Sequence, residues 1–116
     1  MSVLGVGIDI VFLESFRKAM EQGGFIKRVF TEKEIRYCES TSAPLEHFAG
    51  RFAAKEAVIK ALGKNIPLSA IEIERSPSGQ PYLLLLDKVA KKVQCSLSIA
   101  HAKDYAVASV ICQEKE

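Results

Sequence analysis

Glu56 is the first residue whose setting suggests chemistry, because it places a charge on the apolar side of a long helical segment, residues 45–62. A carboxylate on a face meant for burial costs several kcal/mol unless its charge is compensated. The sequence leaves four solutions open: a cationic partner, a bound metal, protonation, or a cleft at that end of the helix. The simplest partner is Lys60, which lies four residues later in the favourable order for a helical ion pair. At about 100° per residue, Glu56 shares its face with Leu45, Ala49, Phe52 and Ile59.

Asp9 poses the same question in a different segment, because it interrupts the apolar run of residues 2–11. Two-residue alternation places it on one strand face with Gly5 and Gly7, where the missing side chains allow a helix or a ligand to approach closely. Asp9 either caps the helix that follows the strand or shares a cation with Glu56. Carboxylates, water and phosphate oxygens are the usual ligands of Mg²⁺, so the second alternative predicts a magnesium site.

Three further residues could belong to a functional site, and each also has a purely structural explanation. Arg51 and Lys55 lie about 40° apart on the flank of segment 45–62, either as a solvated edge or as a cationic fork for phosphates. His101 ends a predicted strand before a turn, a position that is typical of a hydrogen-bonded strand end. Taken one at a time, none of these residues decides the function.

The composition indicates one soluble domain over residues 1–116. The chain is 48% hydrophobic and 26% charged, with a net charge of +2, which argues against disorder and against a protein that grips a polyanionic backbone. No apolar run approaches the ~20 residues of a membrane span. Three scattered cysteines indicate neither a disulfide framework nor a zinc knuckle, and they suit a reducing cytoplasm. Basic residues concentrate in the first third, where they either face solvent or meet an acidic partner: Arg17, Lys18, Lys27, Arg28, Lys33 and Arg36.

The order of helix and strand signals predicts an α+β fold, with an antiparallel sheet packed on the long helix. Thr31 and Glu34 form a capping box that starts a helix ending near Glu39, and Gly63 is a left-handed stop for helix 45–62. The turn residues SPSGQP separate two strands that form a hairpin. The other predicted elements are a strand at 2–11, a helix at 12–22, an extended link at 25–30, hairpin strands at 70–75 and 82–86, a short basic helix at 87–94, and strands at 95–101 and 105–112.

Five segments together resemble one family, the holo-acyl-carrier-protein synthases, which are the small type of phosphopantetheinyl transferase. The resemblance covers nearly the whole chain, and RFAAKEA within the third segment is its most specific part. The segments are GIDIV (7–11), VFTEKEIRYC (29–38), HFAGRFAAKEAVIKALG (47–63), SGQP (78–81) and SIAHAKDYAVASVI (98–111).

The resemblance implies transfer of 4′-phosphopantetheine from coenzyme A to a serine of an apo acyl carrier protein, with release of 3′,5′-ADP, in support of fatty acid biosynthesis. It implies Mg²⁺ held by Asp9 and Glu56, which together with Lys60 form the catalytic group. It further implies a homotrimer with sites between neighbouring subunits. The residues expected to contact coenzyme A are Lys60, Gly63, Pro81 and His101, with Arg51 and Lys55 as the candidate cationic fork. The candidates for steering an acidic carrier helix are Arg17, Lys18, Lys27 and Arg28.

The chain departs from the family pattern at three positions. Phe12 stands where an acid is common, Ser15 where an arginine is common, and Ala100 where the family has the second serine of SISH. The first two put the carrier preference in question, and Ala100 removes a hydroxyl near the donor phosphates. These departures keep a non-catalytic scaffold open as another function. A metal-dependent phosphodiesterase or nuclease also stays open, because an Asp, a Glu and a Lys around Mg²⁺ can hydrolyse nucleic acid as well.

Overall fold

The computed structural model describes residues 2–86 and 92–115 of the chain. The predicted basic helix at 87–94 falls mainly on residues 87–91, which lie outside the described residues. Within the described ranges the elements, in chain order, are β1 (Val3–Phe12), α1 (Leu13–Met20), α2 (Phe25–Val29), α3 (Glu32–Glu39), α4 (Pro44–Leu62), a 3₁₀ turn (Leu68–Ala70), β2 (Ile71–Arg75), β3 (Pro81–Leu85), β4 (Val93–His101) and β5 (Tyr105–Glu114).

Two antiparallel sheets and the long helix α4 form the framework. The larger sheet has the strand order β1–β5–β4, and the smaller sheet is the β2–β3 hairpin. Helix α4 packs against β1, β5 and β4 of the larger sheet. The predicted α+β fold, with an antiparallel sheet on a long helix, is confirmed. Among the described residues, no helix combines the length and the apolar character needed to cross a membrane.

Gly5 and Gly7 bring β1 and α4 into contact at the backbone. A Cβ atom on Gly5 would lie 1.9 Å from the carbonyl oxygen of Ala61, and one on Gly7 would lie 1.8 Å from that of Ala57. Both distances are far inside van der Waals contact, so a larger residue would push the helix off the strand. The predicted close approach at these glycines is confirmed, and it sets Asp9, two residues further along β1, beside α4.

The buried face of α4 differs from the predicted apolar stripe. Leu45, Phe52, Glu56 and Ile59 are only half-buried and form a flank of the helix. The prediction was wrong at these positions because it weighed hydrophobicity, whereas close contact with β1 selects small side chains. The small residues that α4 buries are Ala49, Gly50, Ala53, Ala54, Ala57 and Ala61. Glu56 therefore lies at the border of the buried face rather than in its middle.

The segment predicted as an extended link forms the short helix α2. Gly24 precedes it with a left-handed φ of 80°, and the amide of Arg28 donates to the carbonyl of Gly24 at 3.0 Å. The ring of Phe25 packs against Phe16 of α1 and Phe52 of α4, with centroids 5.9 and 6.0 Å apart. This aromatic packing stabilises a helix of only five residues, which local propensity alone does not predict.

Cys95 and Cys112 form a disulfide, which the scattered spacing of the three cysteines did not indicate. The two residues are direct partners in the antiparallel register of β4 and β5, and their Cα atoms lie 4.2 Å apart. Cys38 of α3 is free and buried. The separation of 17 residues between Cys95 and Cys112 does not indicate a disulfide in the sequence, because only the pairing register brings the two sulfur atoms together.

Candidate active site

Asp9 and Glu56 line one open cleft of about 360 Å³. Asp9 enters it from β1, and Glu56 enters it from the half-buried flank of α4. The helix-capping explanation for Asp9 is wrong, because α1 begins after Phe12 and none of the described side chains makes a hydrogen bond that caps it. The remaining walls are mostly apolar and aromatic, and they include Val11, Phe12, Phe16, Ala19, Phe25 and Phe52.

Lys60 pairs with Asp9 at the edge of this cleft. Its Nζ donates to the backbone oxygen of Ile8 at 3.0 Å and to Oδ1 of Asp9 at 3.2 Å. No salt bridge joins Lys60 to Glu56 within the described parts of the chain, so the simple helical ion pair is not formed. The ammonium group turns toward β1 because the glycines of that strand bring its backbone oxygens close to α4.

The electrostatics of the cleft favour a cation. Burial raises the pKa of the Glu56 carboxyl, and the negative charge of Asp9 raises it further, whereas Lys60 lowers it. Two carboxylates that repel each other in a partly buried cleft suit a divalent ion such as Mg²⁺. Among the described residues, no group of three or more His, Cys, Asp or Glu side chains could hold a metal. The pair therefore fits an ion whose other ligands are water and phosphate oxygens, which is the usual shell of Mg²⁺.

Arg51, Pro81 and His101 meet in a second, smaller cleft of about 70 Å³. His101 Nδ1 lies 3.6 Å from Oε2 of Glu46. Arg51 is only 5% exposed, and its guanidinium stacks 4.4 Å from the ring centroid of Tyr37, so it is not part of a solvated edge. Its buried Nε has no hydrogen-bond partner within the described residues. A buried guanidinium with an unused donor is suited to an anionic ligand.

Sequence reasoning missed Glu46, His47 and Arg75, which also line the second cleft. Burial lowers the pKa of His47, with smaller contributions from the positive charges of Arg51 and Arg75. Helical spacing could have predicted Glu46 and His47 at this cleft, because they lie one turn before Gly50 and Arg51 on the same face of α4. Arg75 ends β2 directly before the hairpin turn, a place where a charged residue is unremarkable in sequence.

Lys55 was wrongly expected to bind phosphate. It is 0% exposed, and its Nζ donates to Glu34 Oε1 at 2.6 Å and to the backbone oxygens of Val29 and Leu68 at 2.7 and 3.0 Å. These bonds use all three donors of the ammonium group, so none is left for a ligand. Burial lowers the pKa of Lys55, and Glu34 opposes that shift. Gly63 ends α4 with a left-handed φ of 63°, as predicted, but it lines neither cleft.

The basic residues of the predicted docking face differ in how they are engaged. Arg17 is held between Glu14 and Glu21, at N–O distances of 2.6 and 2.5 Å. Its positive charge is therefore partly neutralised before any partner arrives. The other three residues are exposed and make no salt bridge with the described residues: Lys18, Lys27 and Arg28.

Comparison with known proteins gives one consistent family. Residues 5–110 match the model of the 4′-phosphopantetheinyl transferase superfamily. The holo-[acyl-carrier-protein] synthase of Clostridium tetani (strain Massachusetts / E88) is 43% identical over 121 residues, which cover 96% of each chain. That of Thermodesulfovibrio yellowstonii is 45% identical over 111 residues, which cover 92% of this chain and 96% of the relative.

A solved structure extends the agreement to the fold. The crystal structure of a holo-(acyl-carrier-protein) synthase from Bacillus anthracis str. Ames, in complex with CoA (3′,5′-ADP), has a TM-score of 0.86 and is 33% identical, over 98% of each chain. The likeness therefore includes both sheets and α4, the elements that carry the two clefts. This chain belongs to the 4′-phosphopantetheinyl transferase superfamily, within the group of holo-acyl-carrier-protein synthases.

Proposed function

We propose that this chain transfers the 4′-phosphopantetheine group of coenzyme A to a serine of an apo acyl carrier protein and releases 3′,5′-ADP. The observation that carries the proposal is the meeting of Asp9 and Glu56 in one cleft, with Lys60 bound to Asp9. These groups come from β1 and α4, which are far apart in sequence. A carboxylate pair with an adjacent ammonium is suited to a reaction at a diphosphate, where negative charge is redistributed.

Each of the three residues has a proposed task. Asp9 and Glu56 would hold Mg²⁺, which when bound supplies positive charge to the diphosphate. Lys60 would move its ammonium from Asp9 to the same phosphates, a short shift for a flexible and half-exposed side chain. We propose that the serine proton passes either to Glu56 or to a water held by the metal. The serine oxygen then forms the new bond to phosphorus as the bond to 3′,5′-ADP breaks.

The second cleft is the proposed site for another anionic part of coenzyme A. The positive charges of Arg51 and Arg75 outweigh the single negative charge of Glu46 there. The unpartnered Nε of Arg51 supports this assignment. We propose that Pro81 and His101 contact coenzyme A in this cleft and that Gly63 contacts it at the end of α4. Lys55 makes no such contact, because all three of its donors are bonded in the interior.

A homotrimer with shared sites is part of the same proposal. The two clefts have no lining residue in common. One coenzyme A molecule must therefore either span both clefts of one subunit or lie between two subunits that each supply one cleft. The outer face of β1 also exposes a row of apolar residues, and an exposed apolar face of this kind usually contacts a partner. The row consists of Leu4, Val6, Ile8, Ile10 and Phe12, and all are at least 44% exposed.

The carrier protein would approach the cleft of Asp9 from the side of α1 and α2. Lys18, Lys27 and Arg28 supply the exposed positive charge for an acidic helix, whereas Arg17 contributes less because it is already paired. Phe12 and Ser15 lie in the cleft wall, so the carrier meets an apolar surface where the family often has charges. We also propose a cytoplasmic location and a role in fatty acid biosynthesis.

Mass measurement of the carrier tests the reaction directly. The protein is incubated with coenzyme A, Mg²⁺ and an apo carrier protein, and the expected product is a carrier heavier by one phosphopantetheine. Asp9→Asn and Glu56→Gln should each lower the rate by about 10²-fold or more, since each removes a charge from the site. Glu32→Gln, at an exposed position of α3, is the matched control and should retain full rate. An unmodified carrier would support a scaffold, and cleavage of added nucleic acid would support a nuclease.

A further inference from the structure

The disulfide between Cys95 and Cys112 is asymmetric in its access to solvent. Cys112 on the central strand β5 is fully buried, whereas Cys95 on the edge strand β4 is half-buried. Cys95 also lines a cleft of about 230 Å³. The other lining residues come mainly from the hairpin and from β4: Ser76, Gln80, Pro81, Tyr82, Ser96 and Leu97. A small molecule in this cleft therefore lies next to Cys95, whereas Cys112 is shielded from solvent.

We infer that Cys95 is a site of reversible thiol–disulfide exchange with small thiols and disulfides, and that Cys112 is its resolving partner. In the reduced protein, the Cys95 thiolate attacks one sulfur of a small disulfide, forms a mixed disulfide and releases one small thiol. The Cys112 thiolate then attacks the Cys95 sulfur, forms the protein disulfide and releases the second small thiol. Two electrons pass from the protein to the small disulfide, and the two protons of the cysteines leave on the two thiol products.

The register of the sheet makes the second step intramolecular and local. Cys95 and Cys112 are direct cross-strand partners with Cα atoms 4.2 Å apart, so their side chains lie side by side on one face of the sheet. The rate of exchange depends on the accessibility of the attacking sulfur, and Cys95 borders a cleft whereas Cys38 and Cys112 are fully buried. This chemistry does not depend on the transferase reaction.

Cys38 provides an internal contrast. It is fully buried in α3, and burial raises the pKa of its thiol to about 11. A thiol in that setting is almost wholly protonated at neutral pH and has no access to a small disulfide. The chain therefore contains one reachable thiol, one resolving thiol and one inert thiol among its three cysteines.

Oxidation should also stabilise the fold, because the disulfide ties edge strand β4 to β5. The bond closes a loop across a separation of 17 residues and restricts the unfolded chain. The oxidised protein should therefore melt at a temperature higher by roughly 5–10 °C than the reduced protein. An oxidised form that melts at the same or a lower temperature would contradict this stabilisation.

Trapping the mixed disulfide tests the assignment. Reduced Cys112→Ser protein, incubated with glutathione disulfide and weighed intact, should gain one glutathionyl group, which peptide mapping should place on Cys95. Reduced Cys95→Ser should gain none, and Cys38→Ser should behave as the wild type and lose two hydrogen atoms. Circular dichroism checks that each variant is folded, and Cys112→Val is the substitute if Cys112→Ser is not. Failure of the folded Cys112 variant to take up glutathione, or uptake at Cys38, would overturn the inference.

Discussion

In the absence of a cation, the charged carboxylate of Glu56 lowers the stability of the folded state, because burial and the negative charge of Asp9 both disfavour its charge. A carboxyl group whose pKa is raised on folding destabilises the folded state above that raised pKa. The cost shrinks as the pH falls through the folded value, and it is absent below the ordinary value of 4.5, where both states are protonated. The same charge that weakens the fold is the charge that would hold the metal.

Replacing Glu56 by Gln should therefore stabilise the metal-free protein at neutral pH. In a chelating buffer, the melting temperature of Glu56→Gln should exceed that of the wild type, and the difference should disappear below pH 4.5. Addition of Mg²⁺ should raise the melting temperature of the wild type and leave that of the variant unchanged. Scanning calorimetry over a pH series measures all three quantities. A variant that is less stable than the wild type in chelator at neutral pH would show that Glu56 has a structural partner.

At the level of single residues, the sequence identified the acidic residues of the candidate site better than the basic ones. Asp9 and Glu56 stood out because a charge in an apolar pattern is visible without any partner. Lys55 was misread because its partner Glu34 lies 21 residues earlier and was already assigned to a capping box. One carboxylate oxygen of Glu34 does accept from the amide of Thr31, as predicted, but the ion pair with Lys55 requires the packing of α3 on α4. Long-range pairing of this kind leaves no periodic trace in the chain.

Among the elements, the contact between β1 and α4 is the one that assembles the site. Helix α4 can present Glu56 to Asp9 only while Gly5 and Gly7 keep the two backbones together. The hydrophobic pattern predicted both elements and the antiparallel sheet. It did not predict α2, which depends on the rings of Phe16 and Phe52, or the disulfide, which depends on strand register.

Gly7→Ala should disrupt this contact. The added Cβ would meet the carbonyl oxygen of Ala57 at 1.8 Å, a clash with backbone that no rotamer change relieves. We expect a loss of about 3 kcal/mol in the free energy of unfolding, measured by urea denaturation. Gly23→Ala is the control, because a Cβ there has nothing within 4 Å, and its effect should stay within about 0.5 kcal/mol. Equal stabilities of the two variants would contradict the close packing of β1 on α4.

On the scale of the whole molecule, the outer face of β1 exposes an apolar surface that supports the proposed trimer. Val6, Ile8 and Ile10 are 65%, 62% and 65% exposed, and they alternate along one strand. Across the register, Val6 and Ile10 pair with Ile111 and Val107 of β5, which widens the apolar surface. The alternation along β1 is visible in sequence, but it does not show that the more apolar face points away from α4.

Val6→Glu should prevent the proposed trimer from forming. A charge in the middle of the apolar face is solvated in the monomer and desolvated in an interface, so the monomer should fold normally. Light scattering after gel filtration should give a trimer mass for the wild type and a monomer mass for the variant. Leu84→Glu, on the exposed side of the hairpin strand β3, is the control and should stay trimeric. A trimeric Val6→Glu protein would show that this face is not the interface.

The side chain of Glu34 limits how the chain can be divided or recombined. One of its carboxylate oxygens accepts hydrogen bonds from the amide of Thr31 and the ammonium of Lys55, and the other accepts one from the amide of Ile73 in β2. Its three partners belong to the cap of α3, to α4 and to the hairpin. A chimera that imports the hairpin of a relative must therefore import a backbone amide placed to meet this carboxylate. A fragment that ends before residue 73 leaves one carboxylate oxygen of Glu34 without its hydrogen-bond donor.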